Sequence, residues 1–258
     1  MSKLTASAGL AWIRQGFGLF RKQPGGLMLL MLAFMVVAAL LSIIPLLGQL
    51  AQFILAPVFT AVFVQACAAI DGNQRLTPDM LRPIFQKPIF PRLAGLGSLF
   101  VLAAALLAVV MVSIVGSDTI RALAEQKLTP EAAAAGNFGW AMLVVFLLSL
   151  PLSMAMLFAA PLIYWQKMGV GKSLFYSFFA VWRALRTFIL FFACWVLIIM
   201  LTTKVVLLLA GGGLFGMALV QSLWMIIAMI FQCAVYAAYC GIFGAPGSPA
   251  SPSADNAG

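Results

Sequence analysis

Six stretches of this chain are long, apolar and almost uncharged, and no water-soluble fold can absorb them. They run approximately over 25–44, 46–70, 93–115, 138–160, 187–209 and 214–239. About 20 apolar residues in a helix cross the hydrocarbon core of a bilayer. In lipid every backbone N–H and C=O must find its partner within the segment, so such runs are helical. The composition agrees. Of 258 residues 64% are hydrophobic and 8% charged, and mean hydropathy is +1.12, the proportions of a polytopic membrane protein. The expected fold is all-α, a six-span bundle forming one integral-membrane domain over 1–243. The tail, 244–258, is rich in Gly, Pro, Ser and Ala and is expected to be disordered. The first apolar run starts too late and is too long for a cleaved signal peptide, so it is expected to remain as a span.

Basic residues are distributed unevenly between the two sides that six spans define. Lys3, Arg14, Arg21, Lys22, Arg75, Arg82, Lys87, Arg92, Lys167, Lys172, Arg183 and Arg186 fall on the side of the termini, against Arg121, Lys127 and Lys204 on the other. The positive-inside rule then predicts both termini in the cytoplasm of a cell with an inner membrane. Asp118, Glu125 and Glu131 offset the three outer bases. The net charge of +9 is thereby explained by topology and anionic lipid, and nucleic acid is not an expected partner. In the outer loop Thr129-Pro130-Glu131 reads as the start of a short surface helix, and Thr77-Pro78-Asp79 repeats that signal on the basic side.

Each basic segment also reads as an amphipathic helix entering a span. The first, 10–23, sets Leu10, Ile13, Phe17 and Phe20 against Arg14, Gln15, Gly18, Arg21 and Lys22, the pattern of a helix lying in a membrane surface. The second, 78–87, sets Met80, Leu81, Ile84 and Phe85 against Asp79, Arg82, Gln86 and Lys87. The third, 172–186, sets Leu174, Phe175, Phe178, Trp182 and Leu185 against Ser173, Ser177, Ala180 and Arg183. About three interfacial helices are therefore expected, each followed by a helical hairpin, as three repeated units. Pro45, Gly48 and Gln49 tighten the turn of the first hairpin, and Gly211, Gly212 and Gly213 that of the last.

Trp12-Ile-Arg-x-Gly-x-x-Leu-Phe-Arg-x-x-Pro24 resembles the opening of an uncharacterised family of bacterial inner-membrane proteins. Phe158-Ala-Ala-Pro161, Lys172-Ser173, Ser177-Phe-x-Ala180-x-x-Arg183 and Tyr236-Ala-Ala-Tyr239-x-Gly-Ile-Phe243 extend the likeness over most of the chain. That family is similar in outline to the membrane domain that accompanies some glycerophosphodiester phosphodiesterases. The resemblance implies fold and location but no reaction. It also marks a departure, because the family tends to carry Arg-Asp where this chain has Cys240-Gly241.

Chemistry has few footholds. Gly169-Val-Gly171-Lys172-Ser173 lacks the earlier glycine of a phosphate loop, whose position holds Gln166, and a span precedes it where a strand is needed. Glycines ending the fourth span, with Ser173 capping the next helix, explain these residues. The chain has no histidine, and its four cysteines carry no paired metal-ligand spacing, so no metal or cofactor is expected and the thiols read as small apolar groups. All six acids read as loop or tail residues, which argues against an enzyme or a proton-coupled pump.

Lys204, Gln65, Gln221 and Gln232 are the candidate intramembrane polar site, with Lys204 expected to snorkel outward and the glutamines to bond between helices. Gln49 and Gln52 have the same expected role. Gly212-x-x-x-Gly216 and Ala94-x-x-x-Ser98 are candidate close-approach spacings, and Pro57, Pro151 and Pro161 are expected to kink or end interior helices. Arg14, Arg21, Lys22, Arg82, Lys87, Arg92, Lys172, Arg183 and Arg186 are the candidate contacts to anionic phospholipid. The expected function is a non-enzymatic scaffold or accessory factor whose basic face meets anionic lipid or a partner protein. The alternative is a small-molecule or lipid transporter, which would need a polar cavity between kinked spans two and four.

Overall fold

The computed structural model describes residues 7–125 and 137–246, so the Thr129-Pro130-Glu131 signal and the tail beyond 246 lie outside the described residues. The described chain is helical without a strand. α1 (Ser7–Lys22) precedes the first span, α2 (Pro24–Ser42). α3 (Leu47–Asp71) is the second span, α4 (Ile89–Val115) the third, and α5 (Ser117–Ala124) a short helix beyond it. The fourth span comprises α6 (Phe138–Leu157) and α7 (Ala159–Trp165). α8 (Val170–Arg183) then leads to the fifth span, α9 (Leu185–Ala210), and α10 (Leu214–Phe243) is the sixth. The chain is a multi-pass, all-α membrane protein.

The buried residues gather in the half of the bundle nearest the termini, here called the basic end. There Leu27 of α2, Val58 and Ile70 of α3, Leu93 and Leu96 of α4, Leu162 of α7, Phe188 and Phe191 of α9, and Cys233 and Tyr236 of α10 are enclosed. Toward the far end the same helices expose Leu40, Leu106, Phe146, Leu201 and Leu214. Lipid tails are as apolar as these side chains, so burial yields no hydrophobic gain there and helices associate only where surfaces fit closely. Close fit is concentrated at the basic end, where small residues allow it.

Two of the three expected interfacial segments form α-helices, and each docks on the bundle by small residues while much of its bulky apolar stripe stays outside. α1 buries Gly9, Trp12, Gly16 and Leu19, while Leu10 and Phe17 stay exposed. The reason is Gly16. A Cβ built there would stand 2.6 Å from the amide nitrogen of Ala234, so the absent side chain is what lets α1 lie on α10. Gly9 likewise lies against the carbonyl of Thr187, and Gly241 makes room for the indole of Trp12. That indole packs on Phe188 and Phe191 with ring centroids 5.4 and 6.2 Å away. α1 is therefore wedged between α9 and α10 by its small residues, with Leu10 and Phe17 left on its outer side.

α8 docks in the same way. Ser173, Ser177 and Val181 face inward, whereas Phe175 and Trp182 are 62% and 57% exposed. Ser173 does not cap this helix: Gly169 holds the cap position, and the Ser173 hydroxyl donates to Val170 O at 2.8 Å within the helix. The second segment does not form an α-helix. It makes two 3-10 turns, Pro78–Met80 and Arg82–Phe85, because Pro83 supplies no N–H for an α-helical bond and Pro88 closes the segment. Thr77 makes no side-chain cap.

A ring of packing connects the three units. Ile84 of the second segment packs with Val58, Ala61 and Val62 of α3. α8 lies on α6 and α7, and α1 lies on α10. Each segment thus covers the second span of the preceding hairpin, and the first covers the last. Pro57 and Pro151 sit inside continuous helices, and the break in span four occurs at Phe158 instead. There the Ser177 hydroxyl takes the place of the missing helical bond, accepting from Phe158 N at 3.0 Å and donating to Met154 O at 2.8 Å. The small-residue spacings shift too. Gly97, between Ala94 and Ser98, meets the backbone of Ile54 on α3, and Gly216 faces Gly211 in its own turn.

Candidate functional site

The expected lipid-contacting cations all lie at the basic end. Arg14, Arg21, Lys22, Arg82, Lys87, Lys172, Arg183 and Arg186 are exposed. Arg92 is half-buried, and its guanidinium donates to Lys167 O at 2.7 Å, tying α4 to the turn after α7. Asp79 lies 3.7 Å from Arg82 with both side chains largely exposed, a pair of small energetic weight. Arg21 stands 5.9 Å above the ring of Phe17, and Lys172 5.8 Å above that of Tyr176. The outward aromatic face of α8 adds Phe175, Tyr176, Phe179 and Trp182 beside Lys172 and Arg183. Aromatic rings with flanking cations are the composition of a membrane–water interface.

Beneath the cations lies a band of polar contacts. Trp165 Nε1 donates to Gln65 Oε1 at 3.0 Å, and Gln166 Nε2 donates to Tyr239 OH at 3.2 Å. Tyr236 OH donates to Asp71 Oδ2 at 3.1 Å. Asp71 is thus the last residue of the second span, not a loop acid, and it was missed because the apolar run was ended one residue early. Tyr236 could have been found: it begins the Tyr-Ala-Ala-Tyr sequence, and a buried tyrosine hydroxyl requires a partner. Lys22 Nζ reaches Asn73 Oδ1 at 3.4 Å, and Gln23 Nε2 donates to Gln74 O at 2.8 Å, so the end of α1 is fastened to the turn after α3.

These residues frame a cleft of about 280 Å³ between α1, α3 and α10. Gln15, Gly18, Leu19 and Lys22 form one wall, with Asp71, Tyr236, Ala237 and Cys240 opposite. α10 has 30 residues, about 45 Å at 1.5 Å per residue, against a hydrocarbon core of about 30 Å. The cleft sits against its last turns, at the basic end of the bundle.

The candidate intramembrane polar site is not assembled as expected. Lys204 and Gln221 are exposed on the outside of α9 and α10, and Gln65 is engaged by Trp165. Gln232 lines a separate cavity of about 220 Å³ between α2, α3 and α10, with Met31, Phe34, Thr60 and Met229. That cavity does not lie between spans two and four. Gln52 bonds Ala38 O and Ser42 Oγ across the first hairpin, as expected of a glutamine between helices. Cys67 and Cys233 place their sulfurs 3.0 Å apart in the buried contact of α3 with α10.

A curated relative from Burkholderia thailandensis, named a probable inner membrane protein, is 26% identical over 250 residues, spanning 93% of this chain and 92% of its own. With six apolar helices, this likeness supports a multi-pass inner-membrane protein whose relative has no named activity. No family model matches the chain, and no solved structure matches it significantly. The outline shared with glycerophosphodiesterase-associated domains gains no support from this relative. At the two positions that depart from the resembling family's ending, Cys240 lines the cleft and Gly241 receives Trp12.

Proposed function

We propose that the chain is a non-enzymatic scaffold or accessory factor, with both termini in the cytoplasm, whose basic end holds anionic phospholipid and presents α1 and α8 to a partner protein. The observation that supports this reading is the combination on α8 of an exposed aromatic face with exposed cations, while its small polar face is fixed to span four. A helix secured from behind can keep its rings at headgroup depth without losing its place in the bundle. About 1 kcal/mol of attraction per basic residue near an anionic surface makes a group of such cations a substantial anchor. Thermal unfolding in detergent tests it. Phosphatidylglycerol should raise the unfolding temperature more than phosphatidylcholine, and salt should remove the difference. Equal effects at low salt would sink the reading.

The transporter reading has one specific observation in its favour, the cavity bearing Gln232 and Thr60. A glutamine facing a gap within the bilayer is costly unless water or a solute meets it. In a background lacking the native cysteines, Gln232→Cys that reacts with membrane-impermeant thiol reagents from both sides would favour transport. Reaction from neither side would remove it.

A further inference from the structure

We infer that the cleft between α1, α3 and α10 binds an ethanolamine phosphate group, an ammonium and a phosphate a few bonds apart, as carried by zwitterionic phospholipid. An ammonium and a carboxylate line this one cleft without neutralising each other. Lys22 Nζ is directed to Asn73 Oδ1, and Asp71 receives a hydrogen only at Oδ2, from Tyr236. Arg82 and Asp79 pair elsewhere on the basic end. Two opposite charges held apart across a cavity suit a ligand with the complementary pair, whose phosphate meets Lys22 and Gln15 and whose ammonium meets Asp71. An anionic lipid would satisfy the lysine and be repelled by the carboxylate.

Gly18 is the second observation. It lies mid-helix, where glycine costs roughly 0.5–1 kcal/mol relative to alanine. Gly9 and Gly16 on the same helix are explained by backbone contacts, but a Cβ at Gly18 would meet nothing within 4 Å. The space it leaves is the cleft, which at about 280 Å³ exceeds many times the roughly 30 Å³ share of one water. Gln15, Gly18 and Lys22, at i, i+3 and i+7, are the stripe of α1 that faces it. The cleft lies against the last turns of α10, at the end of the bundle where the exposed cations gather, and a headgroup suits that place. The inference is independent of the anionic-lipid reading, since it predicts a preference for a zwitterionic lipid without net charge.

Native mass spectrometry of the full-length protein in detergent tests it, with phosphatidylethanolamine, phosphatidylcholine and phosphatidylglycerol added separately. The first two lipids differ at the amine, which donates hydrogen bonds only when unmethylated. A hydrogen bond to a charged partner is worth about 1.5–3 kcal/mol, so the ethanolamine lipid should bind roughly tenfold or more tightly than the choline lipid. Asp71→Asn should abolish that preference, Lys22→Gln should weaken both lipids, and Gly18→Leu should block both by filling the cleft. Unfolding temperatures of each variant separate loss of binding from loss of fold, and a Cβ at Gly18 meets nothing within 4 Å. O-Phosphoethanolamine in solution, raising the unfolding temperature in an Asp71-dependent way, would support the same site with a soluble source. Equal adducts of the ethanolamine and choline lipids would overturn the inference. So would a preference that survives both Asp71→Asn and Gly18→Leu. Stronger phosphatidylglycerol binding that is indifferent to Asp71 would support the anionic-lipid reading alone and overturn this one.

Discussion

Ser177 completes the backbone of Phe158. Its hydroxyl accepts the Phe158 amide hydrogen at 3.0 Å and passes its own hydrogen to Met154 O at 2.8 Å, the carbonyl that an unbroken helix would have joined directly to that amide. Removing the hydroxyl takes its hydrogen bonds from both backbone groups at the break, at a cost of about 1–3 kcal/mol. Ser177→Ala should lower the unfolding temperature in detergent by several degrees, at roughly 2–4 °C per kcal/mol for a chain of this size. Ser173→Ala, whose hydroxyl bonds only its own helix, should cost clearly less. Equal losses would show that Ser177 acts by volume alone.

Gly16 sets the docking of α1 on α10. Any side chain there collides with backbone at Ala234, so Gly16→Leu should lift the helix from its groove. Trypsin cleavage at Arg14 and Arg21 in detergent should then accelerate at least severalfold. Gly18→Ala, facing open space, is the matched control. If both variants digest like the unmodified protein, α1 is held by something other than this contact.

The proposed orientation rests on the distribution of Lys and Arg. A fluorescent reporter fused after Gly244 should fold and glow, as it does only in the cytoplasm. A phosphatase reporter inserted after Glu125 should be active, as it is only outside. The reverse pair of results would invert the bundle and place the basic end in the periplasm.

The outward rings of α8 should sit at the interface, with Trp182 among headgroups. In a variant whose other five tryptophans are phenylalanine, lipids brominated near the glycerol should quench Trp182 more strongly than lipids brominated near the chain end. Stronger quenching by the deep bromines would place α8 within the hydrocarbon core and remove the interfacial reading.

Spans were legible because length and lack of charge are properties of the chain itself, and the six helices match the six apolar runs with small shifts at their ends. Which face of α1 and α8 turns inward was not legible from apolar periodicity. Apolar periodicity marks the stripe suited to lipid and does not say which residues the bundle takes in. Against lipid, Phe175 and Phe17 lose nothing by facing out, while Gly16 and Ser177 gain close backbone contact by facing in. The glycines and serines were therefore the informative residues on these helices. Pro83 gave a readable sign against an α-helix at the second segment. Asp71 was hidden by one residue at a helix boundary, the least certain feature of any helix read from sequence, and with it the cleft.

The ring of packing has a consequence for how the protein is made. α1 is the first described helix to leave the ribosome, yet the surface it fits, around Ala234, belongs to the last described helix. At about 5–20 residues per second, synthesis keeps α1 waiting for its site for many seconds while the intervening hairpins enter the bilayer. During that wait Leu10 and Phe17 on one side, and Arg14 and Arg21 on another, equip it to rest on the membrane surface. The bundle is then closed like a clasp, its first piece fastened by its last.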